Sequence, residues 1–172
     1  MAFTVVRNDI TKMRVDAIVN AANTGLRMGG GVCGAIFEAA GEDKLQAACD
    51  RLAPIRTGDC VITQGFDLPA KFIIHAVGPV YDHENEKQCE EQLRSVYINA
   101  LVRAAGNDCG SVAFPLISSG IYGYPKDAAI RIAASSIWSF LEDHELTVYL
   151  VINDDETFAL CKDMLGETAN EG

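Results

Sequence analysis

The sequence lacks the features that would place a protein in a membrane or outside the cell. It contains no run of about 18 consecutive apolar residues, so a transmembrane helix is excluded. Residues 1–7 show no basic stretch followed by an apolar run and a cleavage site. We therefore expect no secretory signal and a cytoplasmic protein.

Positive charge is also scarce, with 14 Lys and Arg against 24 Asp and Glu and a net charge of −10. Binding to nucleic acid without sequence preference requires a basic surface, and so does binding to anionic membranes. We expect neither kind of partner, so an RNA-binding protein is a disfavoured alternative. We also expect a monomer.

Metal-binding spacings are absent as well. The six cysteines form no Cys-x-x-Cys pair, and the three histidines are isolated in the sequence. This pattern predicts no zinc site, and no motif requires another metal or a cofactor. Because we expect a reducing compartment, we predict free thiols rather than three disulfides.

What the chain does contain is an alternation of short apolar runs and longer helical patterns. The 172 residues, 49% of them hydrophobic, suffice for one well-cored domain. Continuous apolar runs predict strands, and apolar residues at three- and four-residue steps predict helices. The predicted strands are 3–6, 17–19, 60–63, 72–76, 112–114 and 147–152, and the helices are 43–52, 88–105, 127–141 and one from about 155. This order predicts an α/β fold with helices on both sheet faces, as one domain over 1–166 followed by a flexible polar tail, 167–172.

Two asparagines, Asn20 and Asn23, follow the second predicted strand with only alanines between them. Ligand sites in α/β folds gather at the carboxyl ends of strands. An amide can both donate to and accept from a sugar hydroxyl. Turn chemistry is the alternative interpretation, since asparagine also tolerates left-handed backbone geometry.

Three consecutive glycines, Gly29 to Gly31, then lead into a helical pattern that is apparent from Ala35. A glycine loop that opens a helix presents free backbone N–H groups to an anion. The segment matches neither of the usual nucleotide-binding glycine fingerprints. A flexible surface loop is the alternative interpretation.

A second loop of this kind, residues 115–125, lies between a predicted strand and a predicted helix. Ser118, Ser119 and Gly120 are small donors, and Tyr122 is placed to cover a ligand. Two anion-binding loops around one pocket fit a diphosphate better than a single phosphate. After the first strand, Asp9 could accept from an exocyclic amine such as that of adenine, or could cap a helix. The residues alone leave both interpretations open.

Five segments, in this order, resemble a macrodomain. They are N-D-I-T from Asn8, V-D-A-I-V-N-A-A-N from Val15, G-G-G-V-C-G-A-I-F-E-A-A-G from Gly29, I-I-H-A-V-G-P from Ile73 and S-S-G-I-Y-G-Y-P from Ser118. The helix and strand pattern extends the resemblance to about residue 165. It implies a three-layer α/β/α domain with a mixed, mostly parallel sheet that binds ADP-ribose or an ADP-ribosylated protein.

The resemblance also implies a role for each motif residue. Adenine would contact Asp9 and Ile10, with Asn153 at the position that often covers the adenine face. The diphosphate would lie between two segments, Gly29 to Val32 and Ser118 to Tyr122. The distal ribose would face the end of the second strand. The implied ligand-binding set is Asp9, Ile10, Asn20, Ala22, Asn23, Gly29, Gly30, Gly31, Val32, Cys33, Ser118, Ser119, Gly120, Ile121, Tyr122 and Asn153.

The pattern is most similar to the MacroD-type branch, whose members hydrolyse ADP-ribose from acidic side chains and deacetylate O-acetyl-ADP-ribose. Many of them have G-V-D-G, with a catalytic aspartate, where this chain has Gly31-Val32-Cys33-Gly34. We therefore predict a hydrolase whose catalytic residues are Asn23, Gly30 and Cys33, with Cys33 as a small residue rather than a nucleophile. A non-catalytic ADP-ribose reader is the alternative.

Overall fold

A computed structural model describes residues 2–169, in which helices and strands alternate along the chain. The strands are β1 (Phe3–Arg7), β2 (Ala17–Ala21), β3 (Cys60–Gln64), β4 (Phe72–Ala76), β5 (Ser111–Phe114) and β6 (Thr147–Ile152). The helices are α1 (Gly31–Ala40), α2 (Glu42–Asp50), α3 (Glu86–Gly106), α4 (Lys126–Leu141) and α5 (Asp155–Leu165). Every predicted strand and helix is present. Helix α1 begins four residues before the apolar pattern that announced it, because the last of the three glycines is already helical.

The strands form one sheet in the order β1-β6-β5-β2-β4-β3. Within residues 2–169, five strands are parallel, and β3 alone runs antiparallel to its neighbour β4. This confirms the predicted mixed, mostly parallel sheet. Since parallel strands end at the same edge, the segments after β1, β2, β4, β5 and β6 all meet there. The antiparallel β3 begins at that edge instead.

Helices cover both faces of the sheet, as predicted. On one face α3, α4 and α5 enclose a core that contains Leu93, Tyr97 and Phe114. On the other face α1 and α2 pack Ile36 and Phe37 against the sheet. The six cysteines are buried and carry free thiols. Within residues 2–169, no helix combines the length and the hydropathy needed to cross a membrane.

The carboxyl-terminal segment, expected to be flexible from residue 167, continues as ordered structure through residue 169. Residues Gly166–Thr168 form a short 3-10 helix, and Ala169 forms an isolated parallel bridge with Val5. Thr168 and Ala169 are buried by this contact. The rest of the expected tail, 170–172, lies outside the described residues.

Candidate functional site

The loop after β2 is shaped by the side chain of Asn23. Its Nδ2 donates to the carbonyl oxygen of Arg27 at 2.8 Å, and its Oδ1 accepts from the Arg27 backbone N–H at 3.0 Å. The Leu26 N–H donates to the Asn23 carbonyl oxygen at 3.0 Å, and Leu26 is buried with a φ of 53°. The amide of Asn23 therefore fixes the path of residues 23–27, as the turn interpretation required.

The glycine loop that follows leads directly into α1. Gly30 is the N-cap residue, with extended backbone and no side-chain cap, and Gly31 has a φ of +56°. A Cβ on Gly34 would lie 2.6 Å from the Gly29 carbonyl oxygen, so only glycine permits this close contact between loop and helix. A Cβ on Gly30 would meet nothing within 4 Å. The surface over Gly30 is thus open.

This end of α1 is suited to an anion. The first N–H groups of a helix have no partner within the helix, and the helix dipole places positive potential there. The first turn of α1 contains no acidic residue, and no side chain caps it. A glycine loop with these properties has the backbone geometry and the potential that suit a phosphate.

Asn20 is held below this loop by a buried histidine. Its Nδ2 lies 3.1 Å from His75 Nδ1, across the β2–β4 pairing that aligns the two residues. The Thr63 hydroxyl donates to the Gln64 carbonyl oxygen at 3.1 Å, so it accepts from His75 Nε2, 3.0 Å away. This pattern assigns the proton to Nε2 and leaves Nδ1 to accept from Asn20. Burial lowers the pKa of His75 to about 4, so the ring is neutral at physiological pH.

The burial of His75 predicts a loss of stability on mild acidification. The unfolded chain takes up a proton at the ordinary histidine pKa of 6.5, whereas the folded chain does so only near 4. The contribution of neutral His75 to the free energy of unfolding is therefore fully present above pH 6.5 and is lost progressively as the pH drops towards 4. At pH 5 the loss is 1.36 × (6.5 − 5), or about 2 kcal/mol. Urea unfolding at pH 7.5 and 5.0 measures it.

His75→Gln is expected to lose this pH dependence, although the variant is less stable at both pH values. His83→Gln, which changes an exposed histidine, serves as the matched control and should retain the dependence. Equal slopes in His75→Gln and the native protein would show that another group is responsible.

Cys33, in the first turn of α1, lies beside the same cluster. Its Sγ is 3.7 Å from Asn20 Nδ2 and 3.8 Å from the Arg27 carbonyl oxygen. A Cβ on Gly29 would be 3.8 Å from Asn23 Nδ2 and 4.0 Å from Cys33 Sγ. The structure thus brings Asn20, Asn23, Gly29 and Cys33 together. Among the described residues, no basic side chain forms a hydrogen bond with the thiol, which disfavours a nucleophilic role.

One acceptor in this cluster has no partner. Asn20 Oδ1 is buried and forms no hydrogen bond within the described residues. A buried polar atom without a partner costs free energy, so such atoms are rare and concentrate at functional sites. His75 Nδ1 lies next to the amide nitrogen, which leaves this oxygen as the acceptor without a partner.

The second loop, residues 115–125, stands at the end of β5. A Cβ on Gly78 would collide with Ser118 Oγ and the Ile117 side chain, so glycine is needed for this loop to lie against the end of β4. Ser118 has a φ of 68°, and its buried Oγ has no partner among the described residues. The Tyr122 carbonyl oxygen accepts from the Tyr81 N–H at 2.9 Å.

The rim of this loop is open. Ser119 Oγ donates to the Leu116 carbonyl oxygen at 2.8 Å, which turns the chain outward. A Cβ on Gly120 would meet nothing within 4 Å, and Ile121 is fully exposed. The two glycine-containing loops therefore each present an unobstructed backbone segment at the same edge of the sheet.

Asp9 lies at the far end of this edge. The Asn8 N–H donates to the Ile152 carbonyl oxygen at 3.0 Å, which places Asp9 beside the exposed Asn153 at the end of β6. Asp9 Oδ1 accepts from the Thr11 N–H at 2.9 Å and from its hydroxyl at 2.7 Å. The hydroxyl bond lowers the pKa of the Asp9 carboxyl. Asp9 is therefore a cap of the short 3-10 helix Ile10–Lys12, while Oδ2 has no hydrogen bond among the described residues.

The remaining predicted residues line the base of the edge. Ile10 is buried in the core on the α1 side, and Ala22 is buried with its N–H donating to the Ala76 carbonyl oxygen at 2.9 Å. In sheet order, the site therefore runs from Asp9 and Asn153, past the loop after β5, to the cluster after β2. Three strand spacings separate β1 from β2, about 14 Å. The candidate site is therefore elongated along this edge of the sheet.

Residues 19–133, more than half of the chain, match the family model for the Macro domain. The chain belongs to the macro domain family. This macrodomain is 44% identical to an O-acetyl-ADP-ribose deacetylase from Escherichia coli K12, over 97% of each chain.

Solved macrodomains share its fold. A variant of the Oceanobacillus iheyensis macrodomain, solved with ADPR, superposes with a TM-score of 0.88 at 38% identity and covers 94% of this chain and 90% of that one. The Trypanosoma brucei macrodomain in complex with ADP-ribose gives a TM-score of 0.85 at 35% identity, covering 94% and 68%. These similarities confirm the three-layer α/β/α fold predicted for this macrodomain.

Two parts of the site in this macrodomain were not recognised from the sequence. Thr63, which sets the tautomer of His75, sits on the antiparallel strand and gives no motif. The close contact of Gly78 with Ser118 joins residues 40 positions apart. For the contact between Gly78 and Ser118, the only signal in the sequence was the Gly-Pro pair after β4.

Proposed function

We propose that this domain binds ADP-ribose and hydrolyses an ester on its distal ribose, either by removing mono-ADP-ribose from acidic side chains or by deacetylating O-acetyl-ADP-ribose. The proposal rests on one observation: the uncapped start of α1 adjoins the side chains of Asn20, Asn23 and Cys33. This helix start and these side chains lie on the same edge of the sheet as Asp9. The names of the E. coli relative and of the two ligand complexes support it.

In this arrangement the ligand spans the edge of the sheet. Adenine lies between Asp9 and Asn153, and the diphosphate passes between Gly30 and the loop after β5. The distal ribose then reaches the cluster after β2. Asn20 is buried beneath this end of the path, where it contacts Cys33 and His75 and supports the residues that face the sugar.

The reaction consumes one water and yields a free carboxylic acid and the ribose hydroxyl. The chain's part is positioning: residues 23–27, held by the Asn23 amide, fix the sugar, and the α1 N–H groups hold the diphosphate. A phosphate oxygen of the ligand orients the water, so that no strong protein base is required. Cys33 fills the space where many members of the MacroD-type branch have an aspartate. Because no strong base takes part, we expect a modest turnover rate.

A reader that binds ADP-ribose without cleaving it is the second candidate. The observation that favours a reader is the cysteine at position 33. Among the described residues, no carboxylate forms a hydrogen bond with the Asn20, Asn23 or Cys33 side chains.

The deciding experiment follows free ADP-ribose released from a protein auto-modified on Glu and Asp, and in parallel acetate released from O-acetyl-ADP-ribose. Release from either substrate supports the hydrolase and shows which one is preferred. Tight ADP-ribose binding with no release from either would leave the reader. Absence of binding by calorimetry would overturn both.

Asp9→Ala tests the adenine end of the proposed ligand path. We expect ADP-ribose binding to weaken by about 1–3 kcal/mol, because an exocyclic amine loses a charged acceptor. Asp9 also caps a 3-10 helix, so the melting temperature is measured with the affinity. A lower melting temperature with unchanged affinity for the folded variant would leave Asp9 as a cap only.

A further inference from the structure

A cavity of about 830 Å³ lies outside the proposed ligand path, along the antiparallel edge of the sheet. It is bounded by the loop between α2 and β3, the start of β3 and the second half of α3. Its lining includes Ile55, Arg56, Asp59, Val61, Asn99 and Arg103. We call it the β3 groove.

The β3 groove begins where the proposed ligand path ends. The Ile55 N–H donates to the carbonyl oxygen of Thr24, the residue after Asn23, at 3.0 Å. The Gly58 N–H donates to the Val77 carbonyl oxygen at 2.7 Å, which ties the same loop to the end of β4. The loop that borders the β3 groove therefore adjoins the proposed position of the distal ribose.

The polar lining of the groove is held in place by backbone contacts. Asn99 Nδ2 donates to the Gly58 carbonyl oxygen at 2.8 Å. Arg103 Nη2 donates to the Cys60 carbonyl oxygen at 3.2 Å, which fixes the guanidinium over the start of β3. The groove thus has a defined shape, since its walls are joined by these two hydrogen bonds.

The charge of the groove differs from that of the whole molecule. Arg56 and Arg103 are exposed, and neither takes part in the four ion pairs found among the described residues. Asp59 is the only carboxylate in the lining. In a chain with net charge −10, this leaves a local excess of positive charge. Screening limits the repulsion from distant carboxylates to about 8 Å at physiological ionic strength, so the nearby guanidiniums dominate contact.

We propose that the β3 groove binds the polypeptide that carries the ADP-ribose, and that it selects modified residues with further acidic side chains beside them. The inference rests on the proposed function, because it assumes that a protein is attached at the distal ribose. Bidentate pairing between guanidinium and carboxylate provides the recognition, and Ile55 and Val61 provide apolar contact between the charges.

The test uses two synthetic peptides with one ADP-ribosylated glutamate, flanked either by aspartates or by serines, joined through an amide so that they are not cleaved. For the native protein we expect the aspartate-flanked peptide to bind about five times more tightly than the serine-flanked one. Arg56→Glu should remove or invert this preference. Arg103→Gln should reduce it, while its amide can still donate to Cys60.

Free ADP-ribose is the internal control, and its affinity should be the same in all variants. Arg14→Glu, which changes an exposed arginine that precedes β2 and does not line the β3 groove, is the matched charge control and should keep the preference. Equal binding of both peptides to the native protein overturns the inference. So does a preference that persists in Arg56→Glu and Arg103→Gln.

The outcome is separate from that of the proposed function. If the ester-linked forms are not hydrolysed but the preference is present, the domain is a reader with an acidic-peptide groove. If the ester-linked forms are hydrolysed without a preference, the enzyme stands and the groove proposal fails. Failure of all ligands to bind overturns both.

Discussion

Gly30→Glu is expected to weaken ADP-ribose binding at least about 100-fold, or about 2.7 kcal/mol, in a protein that remains folded. The new carboxylate would stand in the open space over the start of α1, where the diphosphate is proposed to pass. Two like charges about 4 Å apart near a protein surface repel by several kcal/mol. Calorimetry with ADP-ribose measures the loss.

The fold should tolerate this substitution. The backbone of Gly30 is extended, with φ −86° and ψ −174°, and a Cβ there meets nothing within 4 Å. An acidic side chain at a helix N-terminus is favourable by about 0.3–1 kcal/mol. The melting temperature should therefore be unchanged or raised. This combination separates lost binding from lost folding.

Gly30→Gln is the matched control, since it adds the same bulk without the charge. We expect it to lose only about tenfold in affinity. An equal loss in both variants would mean that the obstruction is steric. Undiminished binding in Gly30→Glu would show that the diphosphate does not pass over Gly30.

Asn23→Ala is expected to lower the rate of ester hydrolysis about 30- to 100-fold while weakening ADP-ribose binding less than about fivefold. The amide makes two hydrogen bonds to Arg27, so its removal frees the loop that fixes the distal ribose. Small displacements of a reacting group cost large factors in rate. The adenine and diphosphate contacts, which account for most of the proposed affinity, lie elsewhere.

Single-turnover rates and affinities on the same preparation measure this difference. Asn153→Ala is the control, because it changes an exposed asparagine at another strand end, on the adenine side. It should affect affinity rather than rate. Equal losses of rate and affinity in Asn23→Ala would place Asn23 in ground-state binding alone.

Helices and strands depend mainly on local sequence, and the sequence predicted most of them. The strand predicted at 72–76, F-I-I-H-A, shows no alternation of apolar and polar residues and appears with those bounds, because a strand buried on both faces needs no alternation. The three glycines predicted a helix start with free backbone N–H groups, and α1 begins there without a side-chain cap. Periodicity placed α1 too far along the chain, since Gly31 and Gly34 contribute no apolar side chain to the pattern although both are helical.

Long-range contacts were beyond such reasoning. Two interpretations were weighed for Asn23 and for Asp9, ligand contact and local structure, and the structure shows the local hydrogen bonds of both. His75 could be assigned a structural role from its strand, yet its contact with Asn20 depends on the register between β2 and β4. Sequence spacing does not specify that register.

The reversed direction of β3 makes the two ends of the candidate site unequal in their tolerance of change. Five parallel strands share a register that the core depends on, so an insertion within any of them would disturb the whole sheet. The segment before β3 lies beside the last strand of the sheet, and its contacts to the rest are the hydrogen bonds to Thr24, Val77 and Asn99. Related chains could therefore alter its length and charge while leaving the nucleotide end intact. This arrangement lets the preference for the modified protein change among related chains without a change in the contacts to ADP-ribose.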